Sequence, residues 1–273
     1  MCNFISDPFE LKRFALDHGF DGIDWTFSLG GLPRTPSEDA AAVEAITSLS
    51  PLELRFHCAF NKVDLGHHDR AAAHEAMTVF RSACRLVSKV GGKHLTIHVG
   101  LGHNSTTTLS WTRTIERLSD LARFGGSMGI SICLENLGWG WSSRPELFEK
   151  MIRKSGAWAT VDIGHAYRSS AVQCQLNDID DFVTPHPERV LNAHIYHEEA
   201  NDRHLPPRTV SDLEDRLDLL RGLPLCDWWV LELRGKEALL ETLHVVREYF
   251  RQEAQRKGGP EWSAGTGIRV SAR

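Results

Sequence analysis

Residues 130–154 read ISICLENLGWGWSSRPELFEKMIRK, and this stretch decides the fold. Its first six residues form a short apolar run that ends in Glu135, which is typical of a buried strand. Residues 145–154 carry apolar side chains at helical spacing, and Pro145 is suited to the first turn of a helix. The stretch therefore predicts a strand followed by a helix, the repeating unit of a parallel sheet.

The same pattern recurs along the chain. Other strands are predicted at residues 2–5, 22–27, 53–58, 94–99, 158–163, 190–196 and 228–233. The helices that follow them are predicted at residues 8–18, 36–49, 69–90, 109–128, 176–184, 210–221 and 236–254. Eight such units within roughly 255 residues are typical of an α/β protein with a single (β/α)8 TIM barrel, a parallel eight-stranded barrel with outer helices. We place this barrel over residues 1–256.

A doubly wound parallel sheet is the alternative architecture. No glycine-rich fingerprint follows the first predicted strand, so a dinucleotide site of the kind found in that fold is not indicated. Residues 257–273 are rich in Gly, Ser and Arg and lack periodicity, which predicts a flexible C-terminal tail.

The composition excludes several classes of protein. The 273 residues include 31 Lys and Arg against 36 Asp and Glu, for a net charge of −5, and 41% are hydrophobic. This balance is typical of a globular chain, and no apolar run approaches the ~20 residues of a membrane span. The start, MCNFISDPFE, does not resemble a signal peptide, and none of the six cysteines forms a CxxC pair. We therefore expect a reduced, cytoplasmic protein with no membrane association.

Ionisable side chains cluster where the predicted strands end. Those at or near strand ends are His57, His98, Glu135, Asp162, His194 and Glu232, and those in the loops beyond are His165, Asp202 and His204. The C-terminal ends of the strands form the catalytic rim of a TIM barrel, so these groups should meet there. Buried carboxylates that share a rim repel each other unless a cation joins them. A shell of Asp, Glu and His without thiolates is suited to Mn²⁺, Zn²⁺, Co²⁺ or Fe²⁺.

Seven segments, in order LRFHCAF, HLTIHVG, CLENL, VDIGHA, AHIYH, DRHLPP and VLEL, resemble the xylose isomerase-like TIM-barrel superfamily. The likeness spans residues 20–250, approximately. The superfamily includes sugar and sugar-phosphate isomerases and epimerases, and also the endonuclease IV family (AP endonuclease family 2) of abasic-site nucleases. This chain carries Asp24 where Glu is often seen, and Pro207 and Arg208 where a glycine-rich turn is common.

The epimerase branch implies one divalent cation, Mn²⁺, Zn²⁺ or Co²⁺, held by Glu135, Asp162, His194 and Glu232. The resemblance also makes Glu135 and Glu232 the catalytic pair that moves the proton. We therefore expect a metal-dependent isomerase or epimerase that acts on a small sugar, sugar phosphate or related hydroxy-carbonyl compound through an enediolate. Residues expected to position the substrate are His165, Arg203, Arg208 and Trp25. The oligomeric state is left open, and a homo-oligomer is compatible with the sequence.

The endonuclease branch implies a larger set that holds up to three zinc ions, and it would add His57, His98, His165, Asp202 and His204. The alternative function is therefore an endonuclease IV-like zinc phosphodiesterase that acts on abasic DNA. Basic residues near the predicted rim are Arg34, Lys62, Arg203, Arg208 and Arg234. They are few and the chain is acidic, so nucleic acid ranks behind a small-molecule substrate. A silent metabolite-binding barrel is the third hypothesis, and the complete ligand set argues against it.

Overall fold

A computed structural model of the chain describes residues 4–200, 203–257 and 268–272. Its strands are β1 Gly22–Phe27, β2 Glu53–Cys58, β3 His94–Ile97, β4 Ser131–Glu135, β5 Trp158–Asp162, β6 Val190–Ile195, β7 Glu198–Ala200, β8 Arg203–Leu205, β9 Trp228–Leu231 and β10 Arg269–Ala272. Its helices are α1 Pro8–Asp17, α2 Pro36–Thr47, α3 Arg70–Lys89, α4 Trp111–Ser127, α5 Pro145–Ser155, α6 Ile163–Arg168, α7 Ser170–Gln173, α8 Glu214–Arg221 and α9 Lys236–Lys257.

Eight of these strands close into a parallel barrel, in the order β1-β10-β9-β6-β5-β4-β3-β2. The predicted α/β TIM barrel is therefore confirmed. The remaining two strands, β7 and β8, form an antiparallel hairpin in the connection between β6 and α8. Because all the barrel strands run the same way, their C-terminal ends lie at one rim.

The helices begin where the sequence supplies caps. The side chain of Asp69 accepts hydrogen bonds from the backbone N–H groups of Ala71 and Ala72 at the start of α3. Thr35 and Glu38 form a reciprocal capping box at the start of α2. Pro145 is the first residue of α5, as its missing N–H group favours. The helix buries its apolar face, including Phe148, so the unit at residues 130–154 folds as predicted.

The eighth barrel strand lies at the opposite end of the chain from the predicted one. Residues 4 and 5 of the strand predicted at 2–5 are not in a strand, and residues 2 and 3 lie outside the described part. The place between β1 and β9 is taken by β10, where Ser271 and Ala272 pair with Gly22 and Ile23. The predicted flexible tail is therefore wrong for β10, while residues 258–267 and 273 lie outside the described part. A strand of four residues beside Gly and Ser is too short to show a recognisable alternation of apolar and polar residues. It forms because the open edge of the barrel pairs with it.

The connection after β5 also differs from the prediction. No helix covers residues 176–184; instead α6 begins directly after β5, because the Asp162 side chain accepts the His165 N–H at 2.7 Å. A short 3₁₀ turn, Ile179–Phe182, occupies the predicted helix, and Pro185 and Pro187 prevent its extension. In the next connection a 3₁₀ turn, Val210–Asp212, precedes α8. The carboxylate at the end of β5 thus sets the local backbone as well as facing the rim.

The hydrophobic core fills the layer between the barrel and its helices. Large side chains in it with almost no exposure include Phe56, Phe80, Phe148 and Trp229. Within the described ranges, no helix combines the length and apolarity needed to cross a membrane.

Candidate metal centre at the barrel rim

Six ionisable side chains from six neighbouring strands converge at the C-terminal rim. They lie within one residue of the C-terminal ends of β2, β3, β4, β5, β6 and β9, and they are His57, His98, Glu135, Asp162, His194 and Glu232. Five are buried, and the side chain of Glu232 is 14% exposed. The structure therefore brings together the rim residues that the strand ends predicted.

The first ligand group comprises the four residues predicted as a single-metal site: Glu135, Asp162, His194 and Glu232. One potential ligand atom from each lies within 4.8 Å of the others. His194 Nδ1 lies 3.2 Å from an oxygen of Glu135 and 2.8 Å from an oxygen of Glu232. The Asn136 side chain accepts from the N–H of Asp162 at 2.8 Å and donates to its carbonyl at 2.9 Å. This pair of hydrogen bonds fixes the backbone that presents Asp162 to the group.

A second ligand group shares Glu135 with the first. It consists of His57, His98 and Glu135. The Nε2 atoms of the two imidazoles are 2.6 Å apart, and they lie 3.4 and 3.5 Å from one Glu135 oxygen. An oxygen of Asp24 lies 3.9 Å from the Nδ1 atom of His57. Two imidazole nitrogens and a carboxylate oxygen thus aim at one point, an arrangement in which Glu135 could bridge two cations.

A third ligand group lies at the edge of the rim and comprises His165, Glu199 and His204, all half-buried. His165 Nδ1 lies 3.1 Å from the carbonyl of Asn136, and His204 Nδ1 lies 2.7 Å from the carbonyl of Glu232. A carbonyl oxygen can only accept, so we assign the proton of each ring to Nδ1. In the neutral ring this leaves Nε2 as the acceptor, the form in which histidine binds metal.

Sequence reasoning missed Glu199. It lies on β7, where it is the cross-strand partner of His204 on β8, and its carboxylate is 4.0 Å from His165 Nε2. The sequence EEAND after β6 indicates that acidic residues lie near the rim. Which of them faces the rim depends on the register of the β7–β8 hairpin. Asp202, predicted as a possible additional ligand, lies outside the described residues.

The residues present fit a divalent cation. The side chain of Glu135 is only 1% exposed, and its two oxygens lie among imidazole nitrogens at 3.2–3.8 Å. One oxygen of the fully buried Asp162 lies 3.2 Å from His165 Nδ1 and 3.9 Å from His194 Nδ1. Leaving such carboxylates in an apolar core costs several kcal/mol unless a cation compensates them. A donor set of carboxylate oxygens and imidazole nitrogens is suited to Mn²⁺, Zn²⁺ or Co²⁺.

Charges within the rim are strongly coupled. Burial opposes the ionisation of Glu135, but the imidazoles of His194 and His98 outweigh it and lower its pKa to about 2. Burial prevails at Asp162 and raises its pKa. Burial also opposes the charging of His194, yet Glu135 and Glu232 raise its pKa well above the ordinary value. The carboxylates thus draw protons onto the neighbouring imidazole, and a bound cation would replace those protons.

The residues predicted to position a substrate are not gathered in the same way. Trp25 is half-buried and packs against the hydrophobic core. Arg203 is exposed on β8, and Arg208 lines an outer cavity of about 680 Å³ together with Pro206, Pro207 and His244 of α9. Arg34, Lys62 and Arg234, the other basic residues considered for DNA, are also exposed. Their roles stay predictions.

A closed parallel barrel with carboxylates and imidazoles at one rim defines the class: a TIM-barrel protein with a candidate metal centre. Residues 13–256 match the family model described as xylose isomerase-like TIM barrel, and the chain belongs to that family. The resemblance seen in the sequence is thereby confirmed.

Individual relatives are more distant. An uncharacterized protein from Methanocaldococcus jannaschii is 29% identical over 160 residues, which cover 59% of this chain and 68% of that protein. A D-tagatose 3-epimerase-like protein has a TM-score of 0.69 at 16% identity, covering 90% of this chain and 94% of that one. Endonuclease IV from Thermus thermophilus has a TM-score of 0.60 at 18% identity, again covering 90% and 94%. At these identities the solved structures show a shared fold.

Proposed function

We propose that this chain is a divalent-metal-dependent isomerase or epimerase that acts on a small sugar, a sugar phosphate or a related hydroxy-carbonyl compound. The observation that carries the proposal is the placement of Glu135 and Glu232 about His194, at 3.2 and 2.8 Å from one ring nitrogen. They come from β4 and the end of β9, three strands apart in the barrel. Two carboxylates that approach one point from different sides are what a two-base proton transfer requires.

We assign the rim residues separate roles in the reaction. One glutamate removes the proton from the carbon beside a carbonyl, and the other returns a proton to that carbon or its neighbour. A divalent cation held by Glu135, Asp162, His194 and Glu232 would supply Lewis-acid stabilisation of the substrate oxygens. His165, with Nε2 as an acceptor, is suited to receive a hydroxyl group.

The wall of the site favours a small substrate. Trp139 follows Glu135 by four residues, is half-buried and lies 3.6 Å from where a side chain at Gly100 would begin. The indole ring therefore lies beside Gly100, two residues beyond His98. Aromatic faces of this kind pack against the C–H faces of sugars, which supports a compact polyol rather than a polymer.

Proton exchange in D2O tests the proposal. Metal-stripped protein is reloaded with Mn²⁺, Zn²⁺ or Co²⁺ and incubated with a panel of pentoses, hexoses and their phosphates. We expect NMR to show deuterium at the carbon beside the carbonyl for at least one compound, and none with E135Q or E232Q. Exchange that persists in both variants would refute the assigned pair, and cleavage of abasic DNA without any exchange would refute the isomerase.

The second candidate is an endonuclease IV-like zinc phosphodiesterase. The group of His57, His98 and Glu135 favours it, because a single-metal enzyme has no use for two further imidazoles aimed at the shared carboxylate. Clustered cations can activate water and hold the leaving oxygen of a phosphodiester. Metal analysis separates the two: three zinc ions per chain with nicking of an abasic duplex would support the nuclease, and one exchangeable ion would exclude it.

Two further expectations stay predictions. The cysteines in the described ranges are free, and all but Cys174 are buried, as expected of a reduced protein. A cytoplasmic location and assembly into a homo-oligomer remain to be measured.

A further inference from the structure

Tyr196 lies directly behind the third ligand group, and neither candidate function gives it a role. It follows the last residue of β6 and is fully buried. Its ring lies flat on the imidazole of His204, with centroids 3.8 Å apart and planes 3° from parallel. The ring of His165 meets it edge-on, with centroids 6.0 Å apart. One aromatic ring therefore contacts both histidines of the group.

The seat of this ring is tightly defined. A Cβ atom added to Gly164 would overlap the ring carbons of Tyr196, so the ring rests on the backbone of α6. Gly164 immediately precedes His165. Close packing of this kind does not allow the ring to turn without moving the helix. Tyr196 therefore links β6, α6 and the hairpin in one fixed contact.

We infer that Tyr196 is a positioning residue that orients His204 and holds the β7–β8 hairpin against the rim. The carbonyl of Glu232 fixes Nδ1 of His204 at 2.7 Å, and the flat stack fixes the plane of the same ring. These two constraints together direct Nε2 of His204. Because the hairpin also carries Glu199, one contact places two of the three members of the group.

The aromatic face, rather than the hydroxyl, performs this role. The hydroxyl is buried and faces the carboxylate of Asp162. Tyr196→Phe should therefore preserve the stack, and Tyr196→Leu should remove it.

The experiment compares these two variants in the full chain without added metal, so its outcome does not depend on the proposed activity. Long-range ¹H–¹⁵N NMR of labelled histidines reports the tautomer of His204, with His204→Gln used for assignment. Limited proteolysis reports how often residues 198–200 and 203–205 leave the rim. We expect Tyr196→Phe to match the parent. In Tyr196→Leu the His204 signals should move toward a tautomer mixture, and cleavage should rise about tenfold.

A merely structural role would lower the melting temperature without these local changes. Equal losses in both variants would overturn the inference, because the hydroxyl would then matter, and so would a Tyr196→Leu protein indistinguishable from the parent. Should Tyr196→Leu not fold, Gly164→Ala supplies the same test, because it displaces the ring while keeping it. An unchanged His204 tautomer in Gly164→Ala would overturn the inference as well.

Discussion

The two ends of the barrel interior handle buried polar groups in opposite ways. The rim carries His57, His98, Asp162 and His194. Two residues earlier on the same strands stand Arg55, Thr96, Thr160 and Asn192. We call these four residues, together with Asp227, the floor network. The rim residues and the first four floor residues lie on or directly after the same four strands, so the two layers differ in their side chains rather than in their backbone.

The polar groups of the floor network form hydrogen bonds with one another. Arg55 donates to the carbonyl of Leu191 and to Asp227, each at 2.8 Å, and also to the side chain of Asn192. Asn192 donates to the Thr160 hydroxyl at 2.9 Å, and that hydroxyl lies 2.8 Å from the Thr96 hydroxyl. Every charge in it has an opposite partner and every group a hydrogen bond, so the floor stabilises the barrel.

The buried carboxylates of the rim are not paired in this way. Glu135 is as deeply buried as Asn192, but the groups around its oxygens are imidazoles and the carboxylate of Glu232. Such a layer lowers the free energy of unfolding until a ligand compensates the charges. We therefore expect substitutions at the rim to lower activity and substitutions in the floor network to lower stability.

The largest expected effect is that of E135Q on turnover. Removing the charge takes away both a cation ligand and one partner of the proton-transfer pair, so kcat should fall at least ~10³-fold. The melting temperature should change only slightly, because His194 can release the proton that the charge of Glu135 holds on it. Both quantities are measured on one preparation, with the exposed Glu237→Gln as the matched control. Retained activity together with a lowered melting temperature would reverse the comparison.

Arg55→Met should produce the opposite result. It leaves the buried side-chain oxygen of Asn192 without this donor, whereas Asp227 keeps Arg269, and an unsatisfied buried acceptor costs about 1–3 kcal/mol of unfolding free energy. Urea unfolding measures the loss, with the exposed Arg123→Met as control. The folded fraction should keep its activity within about tenfold. Loss of activity without a change in unfolding would show that the floor belongs to the catalytic machinery.

Cation binding should stabilise the parent through the rim alone. At a free Mn²⁺, Zn²⁺ or Co²⁺ concentration of about 100 times the dissociation constant, the gain in unfolding free energy is about 2.7 kcal/mol. Thermal unfolding after chelation and after readdition of each metal measures this gain. It should persist in Arg55→Met and largely disappear in E135Q. A gain of equal size in both variants would mean that the cation binds elsewhere.

The smallest expected effect concerns His94, which lies among the floor charges. Burial, helped by the positive charge of Arg55, lowers its pKa from 6.5 to about 4. The unfolded chain therefore takes up this proton first, and stability is lost as the pH falls from 6.5 toward 4. His94→Gln should lose less stability over that window, as urea unfolding at pH 7 and pH 4.5 would show. The exposed His74→Gln should behave like the parent, and an unchanged slope in His94→Gln would contradict the prediction.

Much of the fold was predictable because its signals are local. The apolar run before Glu135 and the helical spacing after Pro145 lie within one stretch of chain. Parallel strands then carry Glu135, Asp162 and Glu232 to one rim without further information. Glu199 could not be found in this way, since its facing depends on the hairpin register. The same is true of Arg55, whose partners Asn192 and Asp227 lie more than a hundred residues away in the chain.

By itself the sequence determined the repeating βα unit, the barrel class and the strand-end set of carboxylates and imidazoles. These follow from periods of two and 3.6 residues and from which side chains end each apolar run. Only the tertiary structure decided that β10 closes the barrel, that Glu199 joins the rim and that Tyr196 stacks on His204. Those outcomes depend on edges and ring faces that meet only when distant segments pack together, and no local period encodes such a meeting.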